Sequence, residues 1–195
     1  MFYRIILSLK KMSVPTIPPI PEIDEIHDSI IENKCVLVLG PNFYADAQGT
    51  HQARLLSFFK QNKVAYQEHY EEEELFLFKQ AFERTKACRQ IKHFYNEIPI
   101  NEQLRKIVQI PFHVYLTITP DKLLHKTFEK SGHPPPQIAY YKKDTEPQKI
   151  KTPTKSNLLV YNAFGILDNK ESMILTHDDL YHYFKTIFKQ GRSMP

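Results

Sequence analysis

The feature that most constrains the fold is a short apolar run, CVLVLG, from Cys35 to Gly40. The run is continuous rather than alternating, and it is made of Val and Leu. This pattern predicts a strand buried on both faces, as in a parallel sheet that helices cover. Strands that feed nucleotide sites often end on glycine, so Gly40 is the first candidate position for a phosphate-binding loop.

Hydrophobic periodicity predicts that helices and strands alternate along the rest of the chain. Two further helices carry start signals: Thr119 as N-cap before Pro120, and Thr176 with Asp179 three residues on. Residues on the last helix that we expect to face the core are Leu180, Phe184, Ile187 and Phe188. The other predicted helices begin near residue 24, cover 52–61 and 71–98, and follow a cap at Asn101; the predicted strands cover 112–118, 138–141, 157–165 and 173–176.

This alternation predicts an α/β fold with three layers, a mostly parallel Rossmann-type sheet flanked by helices. We divide the chain into a proline-rich leader (1–22), one α/β domain (23–190) and a frayed tail (191–195). The segment 144–156 is polar and broken by prolines, which indicates a loop. The leader contains Met12 after Lys10 and Lys11, so the start at Met1 or Met12 stays open.

Composition excludes several classes of protein. Of 195 residues, 42% are apolar, which is enough for a core, and the formal net charge of +4 is spread without a basic block. That charge makes nucleic acid an unfavoured partner. Two cysteines form neither a disulfide framework nor a metal motif, so we expect free thiols and a cytoplasmic location. The longest N-terminal apolar run, Ile5 to Leu7, is too short for a membrane span.

Candidate site residues follow three predicted strands, because ligands collect outside the carboxyl ends of parallel strands. They are Gly40, Pro41 and Asn42; Thr117, Thr119 and Asp121; and Asn162 with Gly165. A dinucleotide loop needs several glycines, whereas this first loop has one, and its proline removes an N–H donor. An ordinary turn is therefore favoured over a phosphate loop. The carboxylate after the second strand suits either a ribose contact or a favourable helix N-terminus. No metal-binding, Walker or nucleophile-elbow motif occurs.

Three short blocks, in order, resemble the sirtuin-like superfamily, in particular its prokaryotic branch found in antiphage defence proteins and multidomain ATPases. In that branch the blocks are roughly Gly-Ala-Gly-x-Ser, then Thr-Thr-Asn-Tyr-Asp, then a strand ending in His-Gly before Val-Leu-Thr-x-x-Asp-Tyr. The third block is the most similar, because it keeps Gly165, Asp168 and Thr176. The corresponding blocks here are LGPNFY, TITPDKLLHKTF and LVYNAFGILDNKESMILTHDDLYHYF, within residues 30–188.

The resemblance implies a nucleotide site whose catalytic residues are changed. Catalytic members use an Asn to orient the nicotinamide ribose and a His as general base, and Thr119 and Phe164 stand at those positions. Phenylalanine cannot accept a proton, and general base catalysis contributes about 10²–10⁴-fold. We therefore assign no catalytic residue, and NAD is only a possible cofactor. A shifted register would instead bring Asn162 or His177 near the pocket.

The resemblance leaves three hypotheses. The first is a catalytically degenerate interaction or signalling module of a larger prokaryotic defence protein, with a protein partner or self-association. The second is an NAD-hydrolysing effector that is active only on assembly, and the third, ranked last, is a basic nucleic-acid-binding domain. Family members commonly carry a further strand after the last helix, and no such pattern follows Phe188. A fragment and a reduced fold are both compatible with that.

Overall fold

The computed structural model describes residues 22–44, 49–143 and 148–188. The predicted leader up to residue 21, part of the 144–156 loop and the predicted tail lie outside these ranges. The helices are α1 (Ile23–Ile31), α2 (His51–Gln61), α3 (Ala81–Glu97), α4 (Glu102–Ile107), α5 (Leu123–Lys130) and α6 (His177–Ile187). The strands are β1 (Leu37–Leu39), β2 (Glu68–Tyr70), β3 (Leu75–Leu77), β4 (Val114–Thr117), β5 (Gln137–Tyr140) and β6 (Leu159–Asn162).

Four strands form a parallel sheet in the order β1-β4-β6-β5, flanked by helices. This confirms the predicted α/β, Rossmann-like three-layer fold. The register is continuous across the three strand pairings of this sheet; Tyr115, for example, is paired with both Leu37 and Val160. Strands β2 and β3 form a separate antiparallel hairpin.

One face of the sheet carries the main core. Side chains from the sheet pack there against α2, α3, α4 and α5, which cover this face. Aromatic contacts join the sheet to the helices: the rings of Tyr115 in β4 and Phe128 in α5 pack edge to face, with their centroids 5.1 Å apart. The most deeply buried members of this cluster are Phe59, Phe76, Ala87, Ile91, Leu104, Tyr115, Leu123, Leu124, Phe128, Val160 and Met173.

The opposite face is covered unevenly. Across one row of paired residues, exposure falls from 61% at Val38 through half-buried Leu116 to 6% at Tyr161 and 1% at Ala139. The prediction that the CVLVLG strand is buried on both faces is therefore wrong. β1 is an edge strand of the described sheet, and a continuous apolar run does not specify a strand's position within its sheet.

The predicted helix over 71–98 is wrong in its first ten residues: 71–74 form the turn of the β2–β3 hairpin, 75–77 are β3, and 78–80 connect the hairpin to the helix. Leu75, Phe78 and Phe82 fit a helical spacing, but tertiary contacts override it. Leu75 and Phe76 are both buried, and the Phe76 amide donates to the Leu175 carbonyl at 2.8 Å. The helix begins only at Ala81, after a capping box between Gln80 and Glu83.

The structure contradicts two other predicted boundaries. No strand forms over 173–176; that segment is extended and links the hairpin to the sheet, with the Ile174 amide donating to the Phe164 carbonyl at 3.2 Å. Thr119 is not a helix cap, because α5 begins four residues later, with Lys122 as N-cap. Its hydroxyl instead bonds that of Thr117 at 2.9 Å.

The start of α6 is confirmed and is tied to α3. Thr176 and Asp179 form the predicted capping box, with the Asp179 amide donating to the threonine hydroxyl at 3.1 Å. The Asp179 carboxylate also accepts from the Leu175 amide and, at 3.1 Å, from Arg84 of α3. Leu180 and Ile187 pack inward as expected, but two predicted core residues do not, since Phe184 and Phe188 are 46% and 78% exposed.

The predictions for free cysteines are confirmed: Cys88 is buried, Cys35 is half-buried, and neither is in a disulfide. Asn101 caps α4 as predicted, accepting from the Leu104 amide at 2.8 Å. Across the described ranges, every helix is too short or too polar to cross a membrane.

Replacing Asp179 with asparagine should lower the free energy of unfolding by about 2 kcal/mol. The reason is the loss of a charge that accepts from Arg84 and from two backbone amides in a partly buried setting. Asp178→Asn is the matched control, because this neighbouring acid is exposed and should cost about 0.5 kcal/mol through the helix dipole alone. Urea unfolding monitored by circular dichroism measures both; equal losses would contradict the prediction.

Candidate functional site

The carboxyl ends of three strands meet at one edge of the sheet. Thr117 at the end of β4 is the register partner of both Leu39 in β1 and Asn162 in β6. Gly40 follows β1 directly, and Pro41 and Asn42 then lie in a short 3-10 turn. The fold thus brings the three candidate strand ends side by side, and what each side chain does there decides the chemistry.

Asn162 is a fully buried hydrogen-bonding centre at this edge. Its amide nitrogen donates to the backbone carbonyls of Thr119 and Asp121, both at 3.2 Å. Its amide oxygen lies 3.1 Å from Nε2 of His125 on α5. Because both amide ends are occupied, this side chain holds the loop after β4 against β6 and has little capacity left to orient a ligand.

His125 is a neutral donor in this arrangement. The amide oxygen of Asn162 can only accept, so the facing Nε2 must carry the proton. Burial lowers the pKa of His125 to about 4, although its bond to Asn162 opposes the shift. The ring therefore serves the packing of α5 on β6, and it lies outside the cavity described below.

Thr117, Thr119 and Asp121 are buried beneath the same edge. The two threonine hydroxyls bond each other, while Asp121 Oδ1 accepts from the Leu123 amide at 2.7 Å and so orders the start of α5. Burial raises the pKa of Asp121, and the Thr119 hydroxyl, the Leu123 amide and Lys126 oppose that rise. Asp121 is 3% exposed, so its carboxylate stabilises the loop after β4 from inside the protein.

A cavity of about 310 Å³ opens above the strand ends. Of the candidate residues, Pro41, Thr119 and Phe164 line this cavity. The candidates that do not line it are Gly40, Thr117, Asp121, Asn162 and Gly165. Phe164 does not fill the space, because its ring packs on Tyr183 of α6 at 5.7 Å. The other lining residues are Gln52, Leu55, Glu72, Glu73, Glu74, Leu75, Phe76, Ile91, Tyr95, Ile118, Pro120, Ile174 and Leu175.

The charge of this cavity is unfavourable for a phosphate. Three consecutive glutamates from the β2–β3 turn line one wall, and no Lys or Arg is among the described lining residues. Phosphate sites in parallel sheets supply backbone N–H groups and positive charge, whereas here the first loop carries a proline and the wall carries carboxylates. The rest of the lining is largely apolar.

Sequence reasoning missed the residues that give the cavity this character. Glu72, Glu73 and Glu74 fall at the start of the helix predicted over 71–98, and Tyr95 lies on the buried face of α3. The four-residue acidic run was the available signal, but it became informative only once the hairpin turned it toward the strand ends. His177, considered above as a pocket residue, instead lines a separate cleft beside Arg84.

Gly165 is retained for backbone geometry. Its φ is +83°, and a Cβ at this position would overlap the Ser172 carbonyl. Ser172 in turn accepts from the Ile166 amide at 3.0 Å, which closes the tight segment after β6. Asp168, further along, pairs with Lys92 at 3.0 Å and with Lys122, both near the surface.

No group of three or more His, Cys, Asp or Glu side chains that could hold a metal ion occurs within the described ranges. No protein-family model matches the chain. A comparison with curated proteins also gives no significant match. The function must therefore be argued from the site itself.

The buried imidazole predicts a pH-dependent loss of stability. Unfolded His125 gains a proton near its ordinary pKa of 6.5, whereas the folded form resists protonation until about pH 4. Stability linked to this group is thus intact above pH 6.5 and falls by about 3 kcal/mol as the pH drops to 4. His125→Gln should flatten that part of the profile, measured as urea unfolding free energies at pH 7 and 4.5. His93→Gln, at an exposed site on α3, should leave the slope unchanged.

Gly165→Ala should destabilise the protein far more than Gly132→Ala. Both glycines have positive φ, so both alanines carry a backbone cost of about 1–2 kcal/mol. Only at Gly165 does the added methyl meet another backbone, since nothing lies within 4 Å at Gly132. The expected difference is at least about 2 kcal/mol in urea unfolding. Equal destabilisation would show that Ser172 moves aside without cost.

Proposed function

We propose that this chain is a catalytically degenerate sirtuin-like domain that acts as an interaction module. Its contact surface is the open part of the second sheet face, around β1, which we name the β1 face and define by Val38, Val114, Leu116 and Ile118. The observation that carries the proposal is the gradient of exposure across this face, from 61% at Val38 to 1% at Ala139.

Parallel sheets are ordinarily covered on both faces, because their strands are apolar on both sides. Here the cover lies over β5 and β6, where Tyr161 and Ala139 are buried, and ends before β1. Val38 and the half-buried residues on β4 are therefore apolar groups left in contact with solvent by the described residues. Transferring such a surface from water to a partner is favourable at about 25 cal/mol per Å².

The open edge of β1 supports the same proposal. β1 pairs only with β4 among the described strands, so one row of its backbone groups faces outward. Two apolar residues that precede β1 in the chain are also exposed: Val36 at 45%, and Ile23 of α1 at 84%. An unprotected edge beside an apolar face is a common docking geometry for another polypeptide.

The proposal includes no catalysis, and the way in which the polar side chains at the strand ends are bonded supports this. Asn162 and Thr119 are committed to internal hydrogen bonds, and so is Oδ1 of Asp121, whose Oδ2 is buried without a partner among the described residues. Phe164 at the family's general-base position cannot transfer a proton. The glutamates on the cavity wall oppose the pyrophosphate of NAD. The NAD-hydrolysing alternative would need residues from a partner, and nothing in the geometry favours the nucleic-acid alternative.

A second copy is the partner to test first, because most soluble assemblies are symmetric homo-oligomers. We expect sedimentation equilibrium of the purified chain to show concentration-dependent association. Val38→Glu should weaken that association at least tenfold by placing a charge on the β1 face. Phe82→Glu is the matched control, since this residue is similarly exposed, at 63%, on α3.

Three results would overturn the proposal. The first is association that Phe82→Glu and Val38→Glu disrupt equally, and the second is a wild-type chain that stays monomeric to the highest soluble concentration. The third is turnover of NAD by the purified chain above the buffer rate, abolished by substitutions of residues that line the cavity. If the chain is a module without nucleotide chemistry, millimolar NAD should also leave its melting temperature unchanged.

A further inference from the structure

The cavity above the strand ends has a composition that selects for positive charge. Its volume of about 310 Å³ lies at the small end of ligand pockets. The floor is apolar, formed by residues such as Leu55 and Ile91, while one wall carries Glu72, Glu73 and Glu74. Such a site offers burial for a short hydrocarbon body and a carboxylate for its charged end.

Glu74 is the carboxylate held closest to the protein interior. It is half-buried, whereas Glu72 and Glu73 are exposed. Its φ of +56° lies in the left-handed region, which costs a non-glycine residue about 1 kcal/mol or more. Burial raises the pKa of Glu74, and it forms no ion pair with the residues that the structure describes. The turn thus holds an acid at the cavity without an internal cation.

Tyr95 is an independent observation that points to a ligand. It is only 6% exposed and lines the cavity, yet its hydroxyl has no hydrogen-bond partner in the described part of the chain. The hydroxyl oxygen is not among the fully enclosed polar atoms without a partner in the described ranges, so it keeps some accessible surface. Burial and then the carboxylates of Asp121 and Glu74 raise the pKa of Tyr95. The phenol therefore stays neutral and keeps an oxygen available to accept from a cationic donor.

We propose that this cavity is a binding site for a small organic cation, a primary alkylammonium whose nitrogen donates to Glu74 and Tyr95 and whose hydrocarbon chain packs on the apolar floor. A free alkylamine and the side chain of a peptide lysine share this chemistry. Ile118 belongs both to the cavity lining and to the β1 face, but Glu74 and Tyr95 lie outside that face. The cation site therefore does not require the proposed self-association.

The test compares three probes that differ only in their polar end: hexylammonium, hexanol and hexanoate. Isothermal titration of the full chain at pH 7.5 should give the tightest binding for the ammonium, weaker binding for the alcohol and none for the carboxylate. Nα-acetyl-lysine methylamide then separates the two sources of the cation, because tighter binding of this probe than of hexylammonium assigns the site to a peptide.

Substitutions locate the interaction. Glu74→Gln should reduce hexylammonium affinity about tenfold, the scale of one charged hydrogen bond, while hexanol binding changes little. Glu71→Gln is the matched control, since Glu71 lies in the same turn but outside the cavity lining. Tyr95→Phe should cost a further several-fold for the ammonium alone and provides a second variant if Glu74→Gln fails to fold.

Three outcomes would overturn the inference. They are equal binding of the ammonium and the alcohol, equal effects of Glu74→Gln and Glu71→Gln on hexylammonium, and no detectable heat with any probe at millimolar concentration.

Discussion

The site depends on one buried amide, that of Asn162. It has no exposed surface, and it joins the end of β6 to the loop after β4 and to His125 on α5. A buried amide left without partners would be costly, so these bonds fix where each loop runs. The same bonds use up the polar groups that a nucleotide-binding version of this edge would offer to its ligand. Local stability and ligand chemistry therefore compete for the same few atoms.

The sheet could be predicted from the sequence because its signals are local. The runs ending at Thr117 and Asn162 are apolar and β-branched, and the caps at Asn101 and Thr176 are short-range hydrogen bonds. Predictions failed where distant contacts decide the outcome. A helical spacing relates Leu75, Phe78 and Phe82, but contacts with a segment about one hundred residues away override it. Leu75 is buried with Ile174, and the Phe76 amide donates to the Leu175 carbonyl.

The candidate site was predictable in position but not in character. The rule that ligands collect at strand ends directed attention to Pro41, Thr119 and Phe164, which line a cavity, and to other strand-end residues, which do not. The groups that set its charge and polarity, Glu74 and Tyr95, come from a hairpin turn and a helix. No spacing in the sequence relates them to the strands, because their approach is a consequence of tertiary packing.

The strand order has a consequence for how the chain assembles. β5 precedes β6 along the chain, yet β6 lies between β4 and β5 in the sheet, and β5 pairs with no other of the described strands. Gln137 to Tyr140 therefore have no sheet partner until Leu159 to Asn162 leave the ribosome, and β4 must wait across more than forty residues for the same strand. Such long-range parallel pairing folds slowly. The four-stranded sheet is therefore completed only when the strand that carries Asn162 is available.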